Sequence, residues 1–482
     1  MKINKNYIIL LFAISWPVNS FSEQLLEPTS SIQCVEDGVV DVKATNNAPV
    51  DLTSNPQVLP IVPTGLNPPI CAIRGISDIA SVKLDPGDGL DLPQGSIVLG
   101  ASDILTLLWD YEAQLWRAPN LSKATTDWKA ILSLVGIMSL DVHDMIEFDN
   151  GNGKRLYLCG AFENKAVVAS FDPKSGELVT EFSIPGYDDI GLRCRNIEVY
   201  EGNIYIGTGS NFSALPGGGD VYRWDGTNVT KVLDTDDGDM YGLSTSFDGE
   251  KLYVGGGTAY DDPLAPASGK LWVTEDGTHW QLIKDFGPDY DIVRWIAPDP
   301  NDDGRLYIST RGSARLWSTV DDVVFEDHGA PPGMNAQIKS FTFHDGKMFL
   351  GGVAAGIWTF TRDPDTFTNL IDLEGMTKEV YHPDTCGDFV YFAARSNNSG
   401  GQVFQCNSDG CIITYVDDEY TGAFHSIQAA SDGQLYLGAY FGADAAPYYS
   451  KLRAARCLVK PNETDNVKDD DGDDDDERPG HR

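Results

Sequence analysis

One short string recurs along this chain and limits what it can fold into. It reads Leu156-Tyr157-Leu158-Cys159-Gly160, Ile204-Tyr205-Ile206-Gly207, Leu252-Tyr253-Val254-Gly255 and Leu306-Tyr307-Ile308-Ser309. It returns as Met348-Phe349-Leu350-Gly351, Val390-Tyr391-Phe392-Ala393 and Leu435-Tyr436-Leu437-Gly438, with a weaker copy at Ile97-Val98-Leu99-Gly100. From Leu156 onward the copies start 42 to 54 residues apart. A fixed period of this size marks one supersecondary unit used many times.

Each string is a run of β-formers, often entered through a turn pair such as Asp248-Gly249, Asp345-Gly346 or Asp432-Gly433, which is a hairpin signal. A second strand with an aromatic follows: Trp116, Tyr222, Trp272, Trp317, Trp358 and Phe404 each occupy this place. A further strand follows the next turn, and another precedes each string, as in Ile292 to Ala297. Four short antiparallel strands per period describe a propeller blade. Such a small sheet cannot bury both faces alone, whereas a ring of sheets buries each face against its neighbour. The fold class expected is therefore an all-β propeller of four-stranded blades. Eight units begin near Asp78, Asp141, Ile190, Met240, Asp291, Gln337, Lys378 and Phe424; seven is the alternative count, because the first unit is irregular. The last unit lacks an outer strand, so the ring is expected to close with a strand from the N-terminal side, within Ile32 to Val62. The aromatics between blades are read as core.

The flanks complete the organisation. Lys2 and Lys5 precede an apolar run from Tyr7 to Ile14 and the small-residue pattern Ser20-Phe21-Ser22. This is the layout of a secretory signal peptide, and the run is far shorter than the ~20 residues that span a bilayer. The expected divisions are a signal peptide over 1–22, a Pro-rich extended arm over 23–75, the propeller over 76–460 and a disordered acidic tail over 461–482. In that tail, Asp469 to Glu477 is acidic at every position but Gly472, and such a run repels itself. A secreted or periplasmic location follows. The eight cysteines agree with it, since an even count in an exported chain indicates disulfides. Cys406 and Cys411 flank the turn Asn407-Ser408-Asp409-Gly410 and are expected to pair across a hairpin.

A formal charge of −37 decides against nucleic acid, which needs a basic footprint. The acidic loops at Asp234 to Asp239, Asp261-Asp262 and Asn301 to Gly304 leave structural calcium open as the one cofactor. Type I turns favour the same residues without an ion.

At Val273-Thr274-Glu275-Asp276-Gly277-Thr278-His279-Trp280, the turn resembles the Asp-box of sialidase-like propellers. Gly277 and Trp280 are in register, and Glu275 stands where the box has aspartate. The resemblance implies a fold and not a chemistry, and the Arg-Ile-Pro string of sialidases is missing. There is also no GxSxG, HExxH, P-loop or dinucleotide fingerprint.

A site must then be assembled by the repeat. The first strand of each unit lines a propeller's channel, where ligands bind at one mouth. Aligning these strands brings Ala80, Asp144, Arg195, Tyr241, Arg294, Lys339, Glu379 and His425 to equivalent places, with Asp141, His143, Arg193 and Tyr381 adjacent. The ligand-site candidates at the channel mouth are His143, Asp144, Arg195, Tyr241, Arg294, Lys339, Glu379 and His425. Three cations on one axis suit an anionic or carboxylate-bearing ligand; a water-filled polar channel is the competing reading. The function expected is an exported recognition or scaffold propeller for a protein, glycan or other extracellular ligand. The alternative is a hydrolase or lyase acting on a polysaccharide or anionic small molecule, with His143, Asp144, Glu379 or His425 as acid or base.

Overall fold

The computed structural model describes residues 128–457 with their side chains, apart from connecting positions of which 259–267 and 441–450 are the longest. Between residues 39 and 117 it describes strand backbone only. The expectations for 1–22, the Pro-rich stretch around 56–69, Ala80, Trp116, Asp261-Asp262 and the acidic tail lie outside the described residues or side chains.

The chain is an all-β propeller with four-stranded antiparallel blades. Among the described residues three sheets contain four strands each, and two eight-stranded sheets each divide into two sets of four. In chain order these sets are blade 1 (141–185), blade 2 (192–233), blade 3 (239–285), blade 4 (293–329), blade 5 (338–371), blade 6 (377–416) and blade 7 (423–456). Within a blade, successive strands pair antiparallel. The innermost strands touch in chain order, and that of blade 7 touches that of blade 1.

Blade 7 draws its fourth strand from elsewhere. Lys129–Ser133, which directly precedes blade 1, pairs antiparallel with Lys451–Arg456. It lies well beyond the 32–62 segment where the sequence placed it. The expected first unit also differs. Ile97–Leu99 pairs with Val82–Leu84, while Leu115–Arg117 lies between Ile104–Asp110 and a parallel neighbour, Leu90–Asp91. Parallel pairs do not belong to an antiparallel blade, so this unit is not one of the seven sets.

The packing explains the repeated string. Its aromatic is buried in every blade and faces the next one: Tyr157 packs with Ile197 and Ile206, Tyr205 with Leu243 and Val254, and Tyr307 with Leu350. The ring continues with Phe349 against Phe392, Tyr391 against Leu437, and Tyr436 against Leu158. The third-strand aromatics meet them from the other side, as Tyr222 meets Tyr157 and Trp358 meets Tyr307. Tyr222, Trp272 and Trp358 are buried, and Trp317 packs against the blade 3–4 core. Alternation sends each strand's two sets of apolar side chains to opposite neighbours.

Three disulfides are described. Cys406 and Cys411 are paired across their hairpin with Cα atoms 4.1 Å apart. Cys159–Cys194 joins blade 1 to blade 2, and Cys386–Cys457 joins blade 6 to the residue that follows blade 7. Among the described residues no helix is long and apolar enough to cross a membrane.

The turn at 275–280 is organised by Asp276, whose Oδ1 accepts the backbone N–H groups of Thr278 (2.8 Å) and His279 (2.7 Å). Its organising carboxylate therefore sits one residue after Glu275, the Asp-box position, and the sialidase-like resemblance is not supported.

Candidate ligand site on the axis

Each innermost strand carries at least one residue too many. Its register against the second strand slips between Val142 and Asp144, Cys194 and Asn196, Met240 and Gly242, Val293 and Trp295, Ile338 and Ser340, and Phe424 and Ser426. The residues skipped are His143, Arg195, Tyr241, Arg294, Lys339 and His425. Blade 6 slips between Val380 and Pro383, which releases Tyr381 and His382. A bulge re-aims a side chain that the pleat would otherwise alternate away. Bulges in all seven innermost strands turn these eight side chains towards one cluster.

Six of the eight candidates therefore stand at bulges, and two are displaced. Asp144 follows the bulged His143 in blade 1, and Glu379 precedes Tyr381 by two residues. Both still belong to the neighbourhood. Asp144 Oδ1 is 3.3 Å from His382 Nδ1, and its Oδ2 accepts the Ile197 N–H of blade 2 (3.1 Å). Glu379 Oε2 is 3.3 Å from Lys339 Nζ and accepts a hydrogen bond from the Tyr381 hydroxyl.

The imidazole of His143 has ring centroids 4.8 Å from His425, 5.8 Å from His382 and 5.7 Å from Tyr241. Tyr381 lies 4.1 Å from His425, and Trp295 lies 4.4 Å from His382. The Arg294 guanidinium carbon sits 3.6 Å from the centre of the Tyr241 ring, and that of Arg195 sits 4.9 Å from it. His143, Arg195, Tyr241, Arg294, Lys339, Tyr381 and His425 are each 9% exposed or less. A flat macromolecular surface cannot reach side chains so covered.

The cations are not equivalent. Arg195 donates through Nε to Asp239 Oδ1 (2.9 Å) and through a terminal nitrogen to the Ser210 carbonyl (2.7 Å). The pair is so close to blade 2 that a Cβ at Gly209 would overlap the Asp239 carboxylate, so glycine is required there. Burial raises the Asp239 pKa against the pull of Arg195, Arg294 and Arg311. Lys339 has Glu379. Burial lowers its ammonium to about 7 although Glu379 opposes the change. Burial acts upward on Glu379, but the charge of Lys339 beside it holds it at about 2, so Glu379 is ionised. Burial and then Lys339 depress the His425 imidazole well below its ordinary range, which keeps it neutral.

Arg294 differs. It has no ion pair among the described residues, its Nε has no hydrogen-bond partner there, and it senses Asp239 and Asp291 only as charges at longer range. A buried cation that lacks a direct ion pair recovers less of its desolvation cost, which is several kcal/mol.

Among the described residues no group of three or more His, Cys, Asp or Glu converges on a metal-ligating geometry. In the acidic loops Asp234 faces Lys231, Asp237 faces Lys270, and Asp302 faces Arg305 and Arg362. His382 and Trp295 were not among the axis candidates read from the sequence, and Asp239 was read only as the end of the acidic loop 234–239. A signal for the bulges exists: apolar residues fall three apart in these strands, as Val142/Met145, Cys194/Ile197, Val293/Ile296 and Phe424/Ile427 do, where alternation would put them two apart.

No protein-family model matches the chain, and no curated protein does. Among solved structures, the WD40 β-propeller domain of Doa1 is similar, with a TM-score of 0.48 and 11% identity over 68% of this chain and 97% of that one.

Proposed function

We propose that the chain is an exported recognition propeller whose axial cluster takes an anionic group of an extracellular ligand. The observation that carries this reading is Arg294, a guanidinium buried on Tyr241 that makes no direct ion pair among the described residues and whose Nε has no hydrogen-bond partner there. A carboxylate, phosphate or sulfate would offset its desolvation through charge-assisted hydrogen bonds. Burial of the whole cluster selects a small molecule or a slender anionic tip of a glycan or protein. The three disulfides support an oxidising compartment. Titration calorimetry of the full chain with acetate, sulfate, phosphate and uronate oligosaccharides tests the site. At least one anion should bind, and Arg294→Gln should weaken it by tenfold or more, on the order expected for losing a charged hydrogen bond. If no anion binds, or the variant binds equally well, the cluster merely fills the axis.

The Tyr381–Glu379 hydrogen bond beside His425 favours a second reading, a hydrolase or lyase for an anionic glycan, because acid–base groups must lie within such reach. Turnover of a bound uronate oligosaccharide that Tyr381→Phe abolishes without loss of binding would establish it. Binding without turnover leaves recognition.

A further inference from the structure

The repeat provides its own control for the surface. Six hairpin turns join a third strand to a fourth within a blade, and all occupy the same place in the unit. Those at 172–177, 225–228, 275–280, 362–365 and 408–409 present polar residues, glycine or proline to water, and Trp280 is half-buried against the core between blades 2 and 3. The turn of blade 4 reads Val320-Asp321-Asp322-Val323-Val324, with Val320 55%, Val323 78% and Val324 61% exposed. Turn chemistry gives no reason for β-branched residues there.

This turn is also fixed in place. Asp321 Oδ1 accepts the N–H groups of Val323 (3.0 Å) and Val324 (2.8 Å), and Thr319 Oγ1 accepts that of Asp322 (3.1 Å). Asp322 then reaches blade 3, where it binds Lys251 Nζ (2.7 Å) and the Tyr253 hydroxyl (3.0 Å). The blade 3 turn just before Lys251 carries Phe247, itself 50% exposed. Four of the eight large hydrophobic side chains exposed among the described residues therefore belong to two turns linked by Asp322. A rigid apolar patch of this kind marks an interaction surface, and its prior order lowers the entropy lost on docking.

Charge identifies the occupant. The cations that flank the turn are already engaged, Lys251 by Asp322 and Arg305 by Asp302 and Glu326. Asp248, Glu250 and Asp321 carry no ion pair among the described residues. The chain as a whole bears a formal charge of −37, which opposes docking of a second copy. The geometry points to a docking surface for a protein segment that carries aliphatic or aromatic side chains flanked by lysine or arginine. The patch is separate from the axial cluster, and its test does not depend on anion binding.

A random-peptide display library selected on the full chain should return peptides rich in Leu, Phe, Lys and Arg. The double variant Val323→Ser/Val324→Ser should bind them at least about tenfold more weakly, the scale for losing two buried side chains, and added salt should weaken the native complex. Both side chains are exposed, so an unchanged thermal unfolding profile checks that the variant is folded. The inference is overturned if no peptides are selected or if they bind the variant equally well. It is also overturned if sedimentation shows a dimer that the variant abolishes, since a second copy would then be the occupant.

Discussion

The boundaries between blades fall into two kinds. Around blade 7 they are covalent, with Cys386–Cys457 on one side of it and Cys159–Cys194 one boundary further round. From blade 3 to blade 5 no disulfide is described, and polar pairs cross instead: Lys251–Asp322 between blades 3 and 4 at 2.7 Å, and Arg362–Asp302 between blades 4 and 5 at 2.9 Å. His328 Nδ1 also lies 2.8 Å from Asp365 across that second boundary. The difference follows the chain. Blades 3 to 5 are each one continuous segment, whereas blade 7 pairs Lys451 with Ser133, residues that are distant in sequence. Bringing distant segments together has an entropic cost that a local hairpin avoids. Cys386–Cys457 thus ties down the blade whose sheet is assembled from separated pieces, and Cys159–Cys194 adds a second staple between two blades that follow each other in the chain.

Removing the cross-links should produce the largest effect. Cys159–Cys194 closes 35 positions and Cys386–Cys457 closes 71, and loop-closure entropy assigns each about 4 kcal/mol. Replacing both pairs by alanine should therefore cost about 8 kcal/mol if the distant sites add. Replacing Cys406 and Cys411, only five positions apart, should cost about 2 kcal/mol. Denaturant unfolding of the variants measures this. Limited proteolysis under reducing conditions should cut first around blade 7, and first cuts within blades 3 to 5 would break the comparison.

The same contrast shows what could be read in the sequence. The Leu-Tyr strings mark the second strands because their aromatics bridge blades, a constraint that repeats identically from Tyr157 to Tyr436. Lys129–Ser133 has no such signature, since an outermost strand buries little: it is exposed at four of its five positions. Its role rests on pairing with Lys451–Arg456, which local pattern does not encode. Ile97–Leu99 misled for the converse reason, having the string without the three partners. On the axis, Arg195, Tyr241, Arg294, Lys339 and His425 were legible because polar residues interrupt apolar strands. The one-residue error at Asp144 and the two-residue error at Glu379 arise from bulges, whose register belongs to the paired strand and not to either sequence alone.

The stapled side should also be the more sensitive to pH. Asp384 Oδ2 in blade 6 accepts the Ala429 N–H (2.6 Å) and Gln428 Nε2 (3.0 Å) of blade 7, so a carboxyl reinforces the boundary that Cys386–Cys457 spans. Burial raises Asp384 to about 6, and burial also raises Glu198 in blade 2 to about 7, with Asp144 adding to both. A carboxyl with a raised folded pKa holds its proton more tightly folded than unfolded. Its contribution therefore favours folding below pH 4 and is lost as pH rises through 6 to 7. A shift of this size corresponds to about 3 kcal/mol per group. Unfolding midpoints should fall between pH 4.5 and 7.5, and Asp384→Asn with Glu198→Gln should flatten the profile. A profile that the two substitutions leave unchanged would assign the pH response elsewhere.

The smallest effect belongs to the continuous side. Asp302 accepts from Arg305 (2.8 Å) and lies 2.9 Å from Arg362 of blade 5, but its side chain is a third exposed. Water and salt screen such pairs, and their usual worth is no more than about 1 kcal/mol. Asp302→Ala should lower stability by about that amount in dilute buffer and by less in strong salt. This boundary already has Tyr307 packed against Leu350 and Trp358, and its two blades follow each other directly in the chain. The apolar contact therefore sets their alignment, and the ion pairs add to it at the rim. A salt-independent loss of several kcal/mol would mean that Asp302 holds the blades together as the cysteines do, and the two kinds of boundary would then differ in chemistry but not in strength.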